Sequence, residues 1–572
     1  MALKKMSSFS DRLNYPPPNP DYHGLVDIGS NGVRFSITDL SPPGTRVMPT
    51  LFQDRCSISL YDAQFAGTNK APIPDEVIDI VVCSLKRFRH VCITYGVPAS
   101  NIRAVATEAT REATNSSKFL EAIKSATGWD VELLPKEEEG RIGSWGIASS
   151  VPHISGLVMD LGGGSTQLSW LHTRKGETLM AANPVSLPYG AAALTKRLTT
   201  AIDDAAIEAL KTELTERLQG AFQSLDLPPE ISKASKQPSG INLYLSGGGF
   251  RGFGYVLLSQ HPIQPYPIPI INGFTSAGDS FRALASGMHN ASSADVRSAV
   301  ADTFRISERR ARQIPAVAFL ITTLIHALPT IQSVIFCQGG VREGLLYSTL
   351  PQEIRTQDPL LIATQQYGTV SSTALAELMH NALPRSTPPA IRAIVHPLAN
   401  IMGYHANVPK ESRASCGLHS TSTGFLSAVH GLTHEVRALL ALALCQRWGG
   451  EVHDSNVRTR LGMLVGGELE FWARYLGAIS GLVGAVYPAS IVLKGEDRIE
   501  FWVEEKMGKE NGGERKDGRV ILEIRGRGKD PVLHAVLQDG IKEIEKVGKK
   551  KRCTMGFRKK IVANYKEIAN TG

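Results

Sequence analysis

The sequence predicts an α/β protein whose residues up to 350 form two related lobes, followed by a mainly helical domain and a small αβ segment. Three observations lead to this class. An apolar run ending in Asp27 and another ending in Asp160 each pass through a glycine-bearing polar turn into an alternating strand, so one hairpin occurs twice. Helical and strand periodicities alternate between and after the hairpins, as they do in layered α/β units. Beyond residue 350 helical spacing dominates. With 572 residues, 42% hydrophobic and 20% charged, the chain is globular and long enough for several cores. The expected divisions are a flexible lead over 1–21, a first lobe over 22–155, a second over 156–350, a helical domain over 351–490, and an αβ segment with a basic tail over 491–572.

The lead, "MALKKMSSFSDRLNYPPPNPDYHG", has no apolar signal core. Seven cysteines are scattered without a Cys-x-x-Cys pair, which suits neither a disulfide framework nor a zinc site and points to a reduced, cytoplasmic setting. The first hairpin, "LVDIGSNGVRFSITDL", runs from Leu25 and Val26 into Asp27. It turns through Gly29, Ser30 and Asn31, then alternates Val33, Phe35 and Ile37 with Arg34, Ser36 and Thr38. The second, "VMDLGGGSTQLSW", repeats it without gaps: Asp160 falls on Asp27, Gly162 on Gly29, Gly163 on Ser30 and Gln167 on Arg34. Glycine lets backbone N–H groups line a concavity that an anion can enter, so Gly29 to Asn31 and Gly162 to Gly164 are candidate phosphate cradles. The hydroxyls of Ser30, Ser165 and Thr166 add donors. An aspartate cannot face phosphate without repulsion, so Asp27 and Asp160 are expected to hold a hydrated Mg²⁺ that bridges to it.

Between the hairpins, Val77, Ile80, Val81, Leu85 and Phe88 have helical spacing, and "NIRAVATEATRE" is an apolar strand running into a polar loop. Arg111 then lies at a strand end, where its fork of donors can grip phosphate, or at an exposed helix start. Glu137, Glu138 and Glu139 follow Pro135 in the first turn of a helix, where carboxylates also serve as a structural complement to the helix dipole. "INLYLSGGGFRGFG" sets Gly247, Gly249 and Gly252 in a G-x-G-x-x-G pattern. No acidic residue follows at the distance a dinucleotide site needs, so that reading is weak. "CQGGVREGLLY" ends one strand and starts a helix.

After residue 350, "TALAELMHNAL", "EVRALLALALCQRW" and "GELEFWARYLGAISGLVGAVY" read as helices. The nineteen uncharged residues from Tyr475 to Leu493 contain three glycines and a proline, and read as a buried helix turning into a strand rather than a bilayer span. His453-Asp454 lies in a glycine-flanked loop without companion metal ligands. "SIVLKGEDRIEFWVEEK" and "GRVILEIRG" read as a strand pair around a charged loop, followed by a helix. The net charge is +8, and Ile541 to Lys560 holds nine Lys/Arg against Glu543 and Glu545. The body is therefore near neutral, which argues against direct nucleic-acid binding and leaves a basic tail that is either a solvated terminal face or a nuclear-targeting or partner-docking patch, the latter allowing a nuclear fraction beside the cytoplasmic one.

The two hairpins, with "ATEATREA", "PKEEEGRIG", "ERRARQIPA" and "GGVREGLLY" in order, resemble the actin-like (ribonuclease H-like) ATPase superfamily and, within it, the exopolyphosphatase and guanosine pentaphosphate phosphatase family. "DIGSNGVRFSI", "GGSTQLSW" and "PVSLPYGA" are most similar to a fungal regulatory branch of that family. The resemblance implies a duplicated actin-like two-lobe fold and Arg111 as a substrate-binding group. It also implies Glu139 as the general base toward water, and Gly247, Gly248 and Gly249 near the nucleotide. The hydrolases usually read "GGGSTE" where this chain has Gln167, which can orient water but cannot ionise. Two readings follow. One is a regulator that binds ATP or polyphosphate with Mg²⁺. The other is a Mg²⁺-dependent phosphoanhydride hydrolase in which Glu139, Arg111 and Gln167 act. The branch further implies signalling from mitochondria to nucleus by capture of a cytoplasmic repressor of transcription-factor import, with no membrane association; whether the chain forms a homodimer is left open.

Overall fold

Two sheets with one strand order organise the part of the chain that carries the hairpins. The computed structural model describes residues 16–65, 70–201, 203–492, 498–506, 510–511, 514–515, 518–527, 531–549 and 556–568. The chain divides into two compact units, the first comprising Met1–Leu257 with Ile271–Thr356 and the second Leu258–Ile270 with Gln357–Gly572.

In the first unit, β1 (Tyr22–Gly29) pairs antiparallel with β2 (Gly32–Asp39), and β2 with β3 (Thr50–Cys56). On the other side β1 runs parallel to β4 (Ile102–Ala106), and β4 to β5 (Val131–Leu133), giving the order β3-β2-β1-β4-β5. The second sheet uses β6 (Ser155–Leu161), β7 (Thr166–Arg174), β8 (Glu177–Met180), β10 (Ile241–Ser246) and β12 (Ile331–Phe336). A short β9 (Val185–Leu187) pairs with β7, and β11 (Thr275–Ala277) pairs antiparallel with β12. Its order, β8-β7-β6-β10-β12, repeats the first sheet strand for strand. The register repeats as well: Asp27 lies opposite Arg34 and Asp160 opposite Gln167. This is the duplicated actin-like architecture, and each glycine turn caps the hairpin that opens its lobe.

Burial explains the elements. Leu25, Val26 and Ile28 are buried on both faces of β1, as expected of a central strand covered by helices. The covering helix Asp75–Tyr95 places Ile78, Val81, Leu85, Phe88 and Cys92 at steps of three and four, one apolar stripe. Phe88 stacks on Phe35 of β2 with centroids 4.9 Å apart. The helix ends at Gly96, whose φ of 72° is left-handed, and a Cβ there would meet the Pro17 carbonyl at 2.7 Å. Phe88→Ala is expected to cost about 3–5 kcal/mol by leaving a cavity between helix and sheet, read as a lowered urea midpoint.

The helix Lys136–Ser149 crosses the helix Val341–Thr349 almost backbone to backbone. A Cβ on Gly146 would overlap Gly340, and one on Gly344 would overlap Ile142. One core joins Leu25 and Val105 of the first sheet through Ile142 and Ile147 to Val158, Tyr244 and Ile335 of the second. The two lobes therefore share apolar packing, and Glu139 enters the space between them from the start of the shared helix.

The second unit contains the helices Ser372–Asn381, His434–Arg447 and Gly467–Val486. Trp472 and Tyr475 are fully buried, and no helix among the described residues is long and apolar enough to cross a membrane. The helix expected from Tyr475 stops at Val486, and Tyr487–Val492 does not continue as a strand; the next strand among the described residues begins at Ile499. Pro488 lacks the N–H a strand ladder needs, and Ser490 has a φ of 55°, which breaks the extended run.

Strand Ile499–Lys506 pairs antiparallel with Arg519–Arg527, as the alternation predicts, and the helix Pro531–Val547 follows. A third strand starts where the expected basic tail ends: Lys560–Ile568 runs parallel to Arg519–Arg527, with Ile561 and Ala563 buried. Its lysines obscured a period-two pattern, and the preceding helix supplies the crossover that a parallel pair requires. The lysine run at 550–555, the charged loop residues 507–509, 512–513 and 516–517, and the lead residues 1–15 lie outside the described residues.

Candidate functional site

The hairpin turns meet. A Cβ on Gly163 would lie 2.6 Å from the Asn31 amide nitrogen, so the second turn touches the first through its glycine. In both turns the carbonyls are held from behind. The N–H groups of Gly190, Ala191 and Ala192, where the helix Ala191–Thr200 begins, donate to the carbonyls of Gly164, Gly162 and Gly163 at 2.8 to 3.0 Å. On the first turn, Tyr61 N–H donates to the Ser30 carbonyl at 3.0 Å, while Arg55 and Arg309 donate to the Asn31 carbonyl at 2.8 and 3.1 Å. The backbone N–H groups of Ser30, Asn31, Gly163, Gly164 and Ser165 make no hydrogen bond among the described residues. Backbone donors without acceptors among the described residues, on two turns that touch, are the kind of group an anion can satisfy.

The carboxylates lie where the strands enter the turns. Asp27 is buried, 3.6 Å from Arg34 Nη1, and burial raises its pKa, while Arg34 and Arg342 pull it back down. Asp160 Oδ1 accepts from Ser246 Oγ at 2.7 Å, and burial raises it too, with Asp27 and Glu343 adding repulsion. Gly247, at φ 90°, lies against this group, and a Cβ there would meet Asp160 Oδ1 at 2.5 Å. Two buried aspartates whose pKa values burial raises, with Glu343 adding repulsion to both, are a pair whose charge a divalent cation would offset. Among the described residues no cluster forms a preassembled metal cage, as Mg²⁺ sites built from one or two carboxylates do not require one.

Glu139, in the first turn of its helix, has its pKa pushed up to about 7, first by burial and then by Glu108 and Asp160, against the pull of Arg111. Arg111 Nη1 lies 3.4 Å from Glu139 Oε2 and also donates to the Leu134 carbonyl. It belongs to a one-turn helix, Glu108–Arg111, rather than to the end of β4 itself, because Thr107 breaks the strand and starts the turn. Gln167 is buried beside the second turn, and its Nε2 donates to Ser165 Oγ at 3.0 Å. Thr166 Oγ1 donates to the Tyr189 carbonyl at 2.8 Å, so its proton points into the protein. Gly248 and Gly249 open the helix Gly248–Ser259 rather than a loop. Gly248 has open space around it, whereas a Cβ on Gly249 would collide with Leu161 and meet Ala191.

Several groups in the cleft escaped the sequence reading. Glu108 reaches over the second turn so closely that a Cβ on Gly164 would overlap it, and burial followed by Glu112 raises its pKa. Arg55 and Arg309 reach the first turn, and Arg34, Arg251 and Arg310 lie near enough to this group to add repulsion. Burial lowers the pKa of Arg55 to about 10, with Arg34, Arg309 and Arg310 adding to the effect, and Arg251 and Arg310 are lowered in the same way. Alternation on β2 signals that Arg34 shares a face with Ser36, and "ERRAR" marks Arg309 and Arg310. Nothing local marks Arg55 or Arg251.

The pKa of Glu139 has a stability consequence. A carboxyl group whose folded pKa lies above its unfolded value stabilises the fold below about pH 4.5, and that contribution is lost as pH rises to about 7. The shift corresponds to about 3 kcal/mol. Glu139→Gln is expected to remove most of this slope when ligand-free protein is unfolded by urea at pH 5 and at pH 8, leaving the variant the more stable protein at pH 8.

A model of the Ppx/GppA phosphatase family matches residues 37–353, more than half of the chain. The chain belongs to the Ppx/GppA phosphatase family. A second model, the RTG2 C-terminal domain, matches residues 358–567. Retrograde regulation protein 2 of Saccharomyces cerevisiae is 39% identical over 480 residues, 81% of this chain and 81% of that protein. Exopolyphosphatase 1 of Mycobacterium leprae is 25% identical over 387 residues, 64% of this chain and 98% of the relative. Among solved structures, a Ppx/GppA family member from Aquifex aeolicus is 22% identical, with a TM-score of 0.45 over 57% of this chain and 96% of its own. An exopolyphosphatase from Cytophaga hutchinsonii is 21% identical, with a TM-score of 0.45 over 57% of this chain and 97% of its own. This family member thus carries a Ppx/GppA region followed by a region that matches the RTG2 C-terminal domain.

Proposed function

We propose that this Ppx/GppA family member is a signalling regulator of the retrograde type that binds ATP or polyphosphate between its lobes. The observation that carries the reading is the set of N–H groups in two touching turns that have no partner among the described residues, beside arginines whose mutual repulsion adds to burial in lowering the Arg55 and Arg310 pKa values. Phosphate supplies the missing acceptors and charge. Asp27 and Asp160, with Glu343 beside them, would hold Mg²⁺, whose chemistry is to neutralise phosphate oxygens. Ligand bound to both turns favours the arrangement in which they touch, so occupancy is coupled to lobe closure and to the surface offered to a protein partner. That partner, by the likeness to the yeast regulator, is a repressor of transcription-factor import, and the compartment is the cytoplasm.

A slow hydrolase remains a second reading because of Glu139, whose pKa of about 7 beside Arg111 is suited to a general base. Arg111 would hold phosphoryl oxygens, Glu139 would take the proton of the attacking water, and Gln167 would orient that water without accepting the proton. Calorimetric titration of the full chain with ATP and with polyphosphate, beside release of phosphate from each, tests the choice. Binding with turnover near background supports the regulator. Rapid release that Glu139→Ala abolishes overturns it in favour of the enzyme.

A further inference from the structure

Arg447, the last residue of the helix His434–Arg447, presents an unbalanced cation in the second unit. Its guanidinium lies 4.3 Å from the centre of the Trp448 ring, and the Arg413 guanidinium lies 5.1 Å from the same centre. Space for Arg447 comes from the facing helix Gly467–Val486, where a Cβ on Gly484 would overlap the guanidinium. The Arg447 guanidinium makes no hydrogen bond and no ion pair among the described residues, and its Nε and the Trp448 Nε1 are buried without acceptors there. Arg413 is anchored by the carbonyls of Val408 and Ala406 at 2.9 and 2.7 Å, neither of which carries a charge.

No carboxylate among the described residues pairs with Arg413 or Arg447. Glu470, on the facing helix, is 3.7 Å from Arg474, and Asp454 accepts from the Asn456 N–H at 2.8 Å. Arg458 adds a further positive charge nearby by donating to the Gly450 carbonyl at 2.6 Å. Burial and the repulsion of Arg413 together lower the Arg447 pKa to about 10. Two guanidiniums lie against one indole, and the Arg447 Nε and Trp448 Nε1 donors are buried without acceptors among the described residues, an arrangement that an anion would satisfy. Guanidinium forks suit the oxygens of a tetrahedral oxyanion, and two cations match a dianion.

We propose that Arg413, Arg447 and the Trp448 indole N–H form a second anion site, lying in the RTG2 C-terminal domain and taking a compact phosphate-class oxyanion. Inorganic phosphate and the terminal phosphoryl group of a nucleotide share this chemistry. The proposal does not depend on the inter-lobe cradle, and Gly163→Glu in that cradle leaves this site intact.

The test is calorimetric titration of the full chain with inorganic phosphate and, separately, with ATP in a chloride buffer. Wild type is compared with Arg447→Met and Trp448→Phe. Wild type is expected to show one phosphate site that Arg447→Met lacks, and Trp448→Phe, which keeps the ring but removes the N–H, is expected to weaken that site about tenfold. An Arg447-dependent site for ATP as well identifies a nucleotide-borne phosphoryl group; dependence for inorganic phosphate alone identifies the free ion. Isotherms that coincide in wild type and Arg447→Met for both ligands overturn the proposal. Should Arg447→Met fail to fold, Trp448→Phe decides, and an unchanged isotherm overturns it.

Discussion

Gly163→Glu is expected to abolish the thermal stabilisation that ATP or polyphosphate confers on the chain. The substitution places a Cβ 2.6 Å from the Asn31 amide and brings a carboxylate to the point where the two turns meet. Phosphate then encounters bulk and like charge in place of free N–H groups. At a ligand concentration of 100 Kd the wild type gains about 2.7 kcal/mol, and the variant is expected to gain none. Gly220→Ala serves as the control because nothing lies within 4 Å of the added methyl group, and its ligand response should match wild type. A melting temperature that still rises with ligand in Gly163→Glu would remove the cradle from the binding site.

Gln167→Glu is expected to raise phosphoanhydride hydrolysis about a hundredfold over the wild-type rate. A carboxylate aimed at the water and cation supplies charge stabilisation that an amide lacks, an effect of a few kcal/mol when it is present only in the transition state. The same change adds a buried acid near Asp160 and Glu139, whose pKa values burial already raises, so the variant should unfold at lower urea concentration than wild type without ligand. Phosphate release from polyphosphate, ATP and guanosine pentaphosphate measures the first effect. Turnover that falls in Gln167→Glu would mean that the amide itself positions the water.

The hairpins were legible because their signals are local. Apolar residues before Asp27 and Asp160 demand a buried strand, the glycines permit the turn, and alternation after it sets which face each side chain takes. Helices such as Asp75–Tyr95 were legible for the same reason, since a stripe at 3.6-residue spacing is written in consecutive positions. The strand Lys560–Ile568 was not, because its lysines mask the alternation and its partner Arg519–Arg527 is reached only through the helix between them.

By itself, the sequence determined the duplicated hairpin, the acid that ends each leading strand, and the amide at residue 167, all of them consequences of short-range pattern. The tertiary structure alone decided that Asn31 touches Gly163, that Glu108 covers Gly164, that Arg55 and Arg309 meet on the Asn31 carbonyl, and that Arg34, Arg251 and Arg310 come close enough to add repulsion. The reason is that these groups come from separate strands, loops and helices. Their mutual repulsion and shared burial exist only once the two sheets and the helices crossing between them have packed on a common core.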